Sequence, residues 1–167
     1  MNPRSTKSPP AHFDLEHFLP YQLSVVSNTV SQGIAHIYQQ DHDLTVIEWR
    51  IIAVLGRYPG LTASQVVDRT VMDKVAVSRA VKRLLERGLL KRSTHGMDRR
   101  RRHLELTEKL GCETFASIVP RARNYETALL DGFSNEEVQS LVELLGRLHQ
   151  SAVALDEAIE AQSALPG

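Results

Sequence analysis

Apolar positions along the chain recur at helical spacing in several separate stretches. Phe13, Leu15, Phe18, Leu19 and Pro20 form an apolar lead-in. Leu23, Val26, Val30, Ile34 and Ile37 then recur every three or four residues, which predicts an amphipathic helix over about 21–40, broken by Asp41, His42 and Asp43. Thr45 with Glu48 has the spacing of a capping box, followed by an apolar run from Trp49 to Leu55, so a second helix is expected over 46–57, before Pro59 and Gly60. Thr62 and Gln65 repeat the spacing for a short helix over 63–69. Asp73 is a good N-cap for another over 74–87, which stops at Gly88. Gly88 to Ser93 and Arg101 to Leu106 read as two strands around a turn at His95, Gly96, Met97 and Asp98. A long helix from Thr107 to about 131, kinked at Pro120, is followed by a third capping box, Ser134 with Glu137. The final helix has Val138, Leu141, Leu144, Leu145 and Leu148 in its stripe.

The expected fold is therefore mainly α. Residues 1–12 make a flexible arm, 13–43 an N-terminal helix, 44–106 a compact lobe and 107–160 C-terminal helices. The first and last helices have apolar stripes and do not flank the lobe in sequence. Packing them together in two chains buries both and predicts an isologous homodimer. No apolar run reaches the roughly 20 residues of a membrane span, and the polar, proline-bearing start is unlike a secretory signal, so a cytoplasmic protein with no membrane partner is expected.

Charge changes this picture. The 167 residues contain 20 Lys and Arg and 20 Asp and Glu, a net zero that at first sight argues against a polyanionic partner. The charges are segregated, however. Residues 69–102 contain 12 Lys and Arg against 3 Asp and Glu, a local +9, and the remainder has 8 against 17. Stepping the helix over 74–87 at 100° per residue puts Val77, Ala80, Val81 and Leu84 on a core side. The opposite face carries Val75, Ser78, Arg79 and Lys82, with Lys74 and Arg83 at its margins. These side chains suit phosphates and base edges: Arg matches guanine O6 and N7, and Val lies against a thymine methyl. A turn-linked helix pair followed directly by a hairpin with arginines at 99–102 has the pattern of a winged helix-turn-helix that binds double-stranded DNA. Successive arginines alternate between strand faces, so only some of them reach one groove.

The run from Asp73 to Leu89 (DKVAVSRAVKRLLERGL), with Asp98-Arg99-Arg100 and Leu104-Glu105-Leu106-Thr107 after it, resembles the multiple antibiotic resistance regulator (MarR) family, over residues 20 to 155. The resemblance implies a dimeric transcriptional regulator whose terminal helices form the interface. It places the recognition-helix role on Val75, Ser78, Arg79 and Lys82 and the wing arginine at Arg100, buttressed by Asp98, with Lys74, Arg83, Arg99 and Arg101 alongside. It further implies a repressor on a palindromic operator, released by a small aromatic acid or its coenzyme A thioester. Asn28, Ser31, His36, Tyr38, Trp49 and Arg50 are the candidates to line the effector pocket, and no cofactor is implied. One departure is visible: Leu110 stands where the family's L-T-x-x-G pattern has glycine, and Gly111 follows it.

Other readings remain at this point. Trp49 also fits a core anchor, Arg50 an ion pair, and His36 a solvated histidine. His36, Asp41, His42 and Asp43 match no metal-ligand or catalytic spacing, so no metal site and no enzyme is expected, although a metal-responsive regulator stays open. Lone Cys112 reads as a small buried hydrophobe, with redox sensing as its alternative. A basic protein-interaction module without sequence-specific DNA binding is the remaining alternative.

Overall fold

A computed structural model of the chain describes residues 13–93 and 103–163. Among the described residues, six helices and three strands follow one another: α1 (Leu19–His42), α2 (Val46–Arg57), β1 (Leu61–Thr62), α3 (Ala63–Thr70), α4 (Lys74–Glu86), β2 (Leu90–Ser93), β3 (His103–Leu106), α5 (Leu110–Leu129) and α6 (Asn135–Ser163). Two compact units divide the chain within α5, at residues 122 and 123.

In the first unit the helix starts follow from local chemistry. At α2, Thr45 Oγ1 accepts from the Glu48 N–H while Glu48 Oε2 accepts from the Thr45 N–H, closing the expected capping box. Thr62 and Gln65 do the same for α3, and Asp73 Oδ1 accepts from the Ala76 N–H at 2.7 Å to start α4. β3 lies between β1 and β2, antiparallel to both, with Leu61 and Arg92 opposite Leu104 and Leu90 opposite Leu106. β1 has only two residues, too few for an alternating pattern, so this third strand was not expected from the spacing of apolar positions. α1 extends two residues further at each end than its apolar spacing indicated.

The core forms where these elements meet: Ile51, Ile52 and Leu55 of α2, Val66 of α3, Val77, Ala80, Val81 and Leu84 of α4, with Leu104 and Leu106 of β3. Ala35 and Tyr38 of α1 and Ile118 of α5 close it from the other side. Each of the buried valine, leucine and isoleucine side chains contributes about 1.5–3 kcal/mol by leaving water, which fixes the pose of α4 on the lobe. The amino-terminal half of α1 lies outside this core, with Leu19, Tyr21, Val25 and Val26 exposed.

Val71, in the turn between α3 and α4, has φ +50°. A β-branched residue in the left-handed region is strained by about 1–2 kcal/mol, and a side chain 76% exposed recovers little of that through burial. Val71→Asn is expected to raise stability by about 1 kcal/mol, read as a melting temperature higher by roughly 2–4 °C.

In the second unit, Ser134 and Glu137 close a capping box for α6 (2.8 and 3.2 Å), as the spacing indicated. No residue of this 29-residue helix is buried, and Leu141, Val142, Leu144, Leu145, Val153, Leu155 and Ile159 are exposed.

Candidate nucleic-acid interface

The buried side of α4 consists of Val77, Ala80, Val81 and Leu84. The opposite side is open: Lys74, Val75, Ser78, Arg79 and Lys82 are all exposed, Val75 to 55%. Among the described residues, Ser78 and Arg79 make no side-chain hydrogen bond or ion pair. Lys82 has only a surface contact with Glu86 at 3.8 Å, one helical turn on, a geometry that contributes a few tenths of a kcal/mol. Donors and a methyl-bearing side chain therefore stand free on one face of a rigid helix. Beside this face, Ser64, Val67, Asp68, Lys74 and Ser78 border a crevice of about 430 Å³ between α3 and α4.

Arg83 sits differently. Its Nε donates to Glu48 Oε1 at 2.9 Å, and the Glu48 carboxylate is almost wholly buried. Burial alone would push the Glu48 carboxyl up, but the Thr45 N–H and hydroxyl and the Arg83 guanidinium outweigh it and hold the group below its ordinary value. One turn on, Arg87 donates from Nη1 to the Asp43 carbonyl at 2.8 Å and from Nη2 to the His42 carbonyl at 2.5 Å, closing the carboxyl end of α1. Lys91 pairs with Glu108 and Glu105 at 3.1 and 3.9 Å. Sequence reasoning read Glu48 as a capping residue alone and missed its pairing with Arg83 and the role of Arg87, because both contacts span more than 30 residues. On the flank of the lobe, Arg57 and Arg69 lie 5.0 and 4.2 Å from the centroid of the Tyr58 ring. Asp98, Arg99, Arg100 and Arg101, the wing candidates, lie outside the described residues.

Four of the six effector candidates meet. Asn28, Ser31, His36 and Arg50 border a cavity of about 470 Å³ between α1 and α2, with Gln32, Ala35, Gln39 and Val46. Arg50 Nη2 donates to Ser31 Oγ at 3.0 Å, which leaves most of its donors available. Tyr38 and Trp49 do not line this cavity. They belong to the core, Tyr38 fully buried and Trp49 9% exposed, stacked at 5.7 Å, with Phe115 on the far side of Trp49 at 6.4 Å. Two large apolar rings side by side bury more surface inward than either would on a pocket wall, and this decides their place. The Tyr38 hydroxyl has no hydrogen-bond partner among the described residues; burial pushes its pKa up, and the charge of Arg50 opposes that shift.

The acidic and histidine residues at the end of α1 disperse. Asp41 pairs with Arg121, and His42 Nε2 lies 2.9 Å from Ser117 Oγ. No group of three or more His, Cys, Asp or Glu among the described residues is placed to hold a metal ion. Cys112 is exposed on the first turn of α5, not buried as its residue type suggested. No helix among the described residues is long and apolar enough to cross a membrane.

Residues 42–101 match the model of the MarR family. The transcriptional regulator HosA of Escherichia coli O157:H7 is 26% identical over 106 residues, which are 64% of this chain and 78% of HosA. A MarR/EmrR family transcriptional regulator from Acinetobacter sp. ADP1 has the same fold, with a TM-score of 0.78 and 28% identity over 85% of this chain and 99% of that one. Bordetella bronchiseptica BpsR, whose structure concerns regulation of its DNA binding by 6-hydroxynicotinic acid, superimposes with a TM-score of 0.62 and 26% identity over 77% of this chain and 98% of BpsR.

Proposed function

We propose that this chain is a MarR-family transcriptional regulator, a cytoplasmic repressor that binds a palindromic operator as a homodimer and is released by a small aromatic acid or its coenzyme A thioester. The observation that carries the reading is the outer face of α4, where Lys74, Val75, Ser78, Arg79 and Lys82 stand exposed on a helix whose other side is locked into the core. Two such faces about 34 Å apart read successive major grooves. The exposed apolar residues of α1 and, separately, of α6 need cover, which supports a second copy of the chain as partner. Light scattering is expected to give twice the mass of one chain.

The α1–α2 cavity supports the effector part. Its size suits a small ring compound, and Arg50 offers a guanidinium to a carboxylate. 6-Hydroxynicotinic acid, the compound connected with BpsR, is itself an aromatic carboxylic acid. Repression then ends when the effector favours a dimer whose recognition helices are spaced wrongly for the operator. A gel shift across aromatic acids and their coenzyme A thioesters tests this; if none changes DNA binding, the effector assignment falls.

Arg79→Ala is expected to weaken binding to a duplex selected by the protein by about 1–3 kcal/mol and to relax base preference at one position per half-site. Arg100→Ala is expected to reduce affinity evenly across sequences. Equal binding by both variants and the parent would favour the protein-interaction reading instead.

A further inference from the structure

We propose that Glu48 is a positioning residue for sequence recognition: from beneath α4 it holds Arg83 by Nε and turns the Nη edge of that guanidinium outward, toward the duplex. The proposal rests on the reading of α4 as the recognition helix and deepens it.

Both oxygens of the Glu48 carboxylate are fixed. Oε2 accepts from the backbone N–H and the hydroxyl of Thr45, each at 2.9 Å, and Oε1 accepts from Arg83 Nε at 2.9 Å. A carboxylate so held cannot swing, and a planar guanidinium gripped at Nε loses most of its rotational freedom. Arg83 has five N–H donors; Glu48 takes one, and the four on Nη1 and Nη2 make no hydrogen bond among the described residues. The side chain is 49% exposed although its Nε meets a carboxylate only 3% exposed, so the edge opposite Nε is the part that faces out. That edge is the two-pronged donor that fits a phosphate or guanine O6 and N7.

Arg87, four residues later at the carboxyl cap of the same helix, makes the contrast. Both of its Nη groups are taken by the carbonyls of His42 and Asp43, so it ties helices together and offers little outward. A tie is also the plain alternative for Arg83. Stability alone does not call for a buried charge at Glu48, because an ion pair of this kind is commonly matched by neutral or apolar residues. A glutamine would still serve the capping box. What the charge adds is a strong, directional hold on one guanidinium.

The test uses the full-length protein, a duplex that the parent selects from a random pool, and a mixed-sequence duplex at the same salt. Glu48→Gln is expected to lower the ratio of selected to mixed affinity about 10-fold. Affinity for the mixed duplex is expected to stay level or rise, since a negative charge is removed. Arg83→Lys, which keeps the charge and loses the fork, is expected to lower the ratio similarly. In an Arg83→Gln background, Glu48→Gln is expected to change the ratio less than about two-fold. The proposal is overturned if Glu48→Gln leaves the ratio at the parental value, if it lowers the ratio equally in both backgrounds, or if both affinities fall together with the melting temperature. Arg79→Ala separates the two levels: a ratio unchanged there, or no duplex selected at all, removes the recognition-helix reading and the proposal with it. A fall with Arg79→Ala but none with Glu48→Gln removes the proposal alone.

Discussion

Trp49→Ala is expected to destabilise the chain by about 3–5 kcal/mol, with a melting temperature lower by roughly 10–15 °C. The indole lies between Tyr38 and Phe115, at 5.7 and 6.4 Å, in the layer where α1, α2 and α5 meet. Removing it opens a void that none of the three helices closes without losing its own contacts, so the cavity cost adds to the lost transfer energy. Trp49→Phe retains a ring and is expected to cost clearly less. Thermal unfolding of the three proteins decides between the two roles sequence alone allowed for this residue. An alanine variant that melts like the parent would move Trp49 out of the core and back among the candidates for the wall of the α1–α2 cavity.

Gly111→Ala is expected to be nearly as damaging, at about 2–3 kcal/mol. The amino end of α5 packs directly on the strand region, and a β-carbon at Gly111 would run into the carbonyl oxygen of Leu89, with the Leu106 and Thr107 side chains close by at 3.1 Å. Helix propensity alone favours alanine by about 1 kcal/mol, so the sign of the effect is set by the clash. The junction has no slack: the Gly111 N–H donates to Thr107 Oγ1 at 2.8 Å, that hydroxyl donates to the Gly88 carbonyl at 2.7 Å, and the Thr107 N–H donates to Leu89. Denaturant unfolding of Gly111→Ala is the measurement, and a midpoint equal to the parent's would overturn the account. The glycine that looked displaced by one residue from the family pattern is thus the one the packing requires.

How far the sequence went can be seen residue by residue. The 100° steps along α4 separated Val77, Ala80, Val81 and Leu84 from Val75, Ser78, Arg79 and Lys82, and burial divides them in the same way. Three capping boxes marked the starts of α2, α3 and α6 because their hydrogen bonds span three residues. Contacts between distant residues were invisible. Nothing around Glu48 announces Arg83, 35 positions later, and nothing around Asp43 announces Arg87. The residues beside Arg50 were named through the family resemblance and not through a pattern of their own, and four of the six border one cavity. Tyr38 and Trp49 carry the same polar tips, and only the packing of their rings against each other shows that they belong elsewhere.

The cations of the lobe that already have partners within it set how the chain responds to ionic strength. A Lys or Arg releases condensed counterions from DNA only where it replaces them at a phosphate, each such contact adding about 0.9 to the slope of log affinity against log salt. Arg87 is directed at carbonyls, Lys91 faces Glu105 and Glu108, and part of Arg83 belongs to Glu48. The entropy gained on binding arbitrary DNA is therefore smaller than twelve basic residues in one stretch would suggest. Such a protein holds random DNA less tightly at low salt, and that hold also falls less steeply as salt rises, so discrimination between duplex sequences rests on the directed contacts across a wide range of ionic strength.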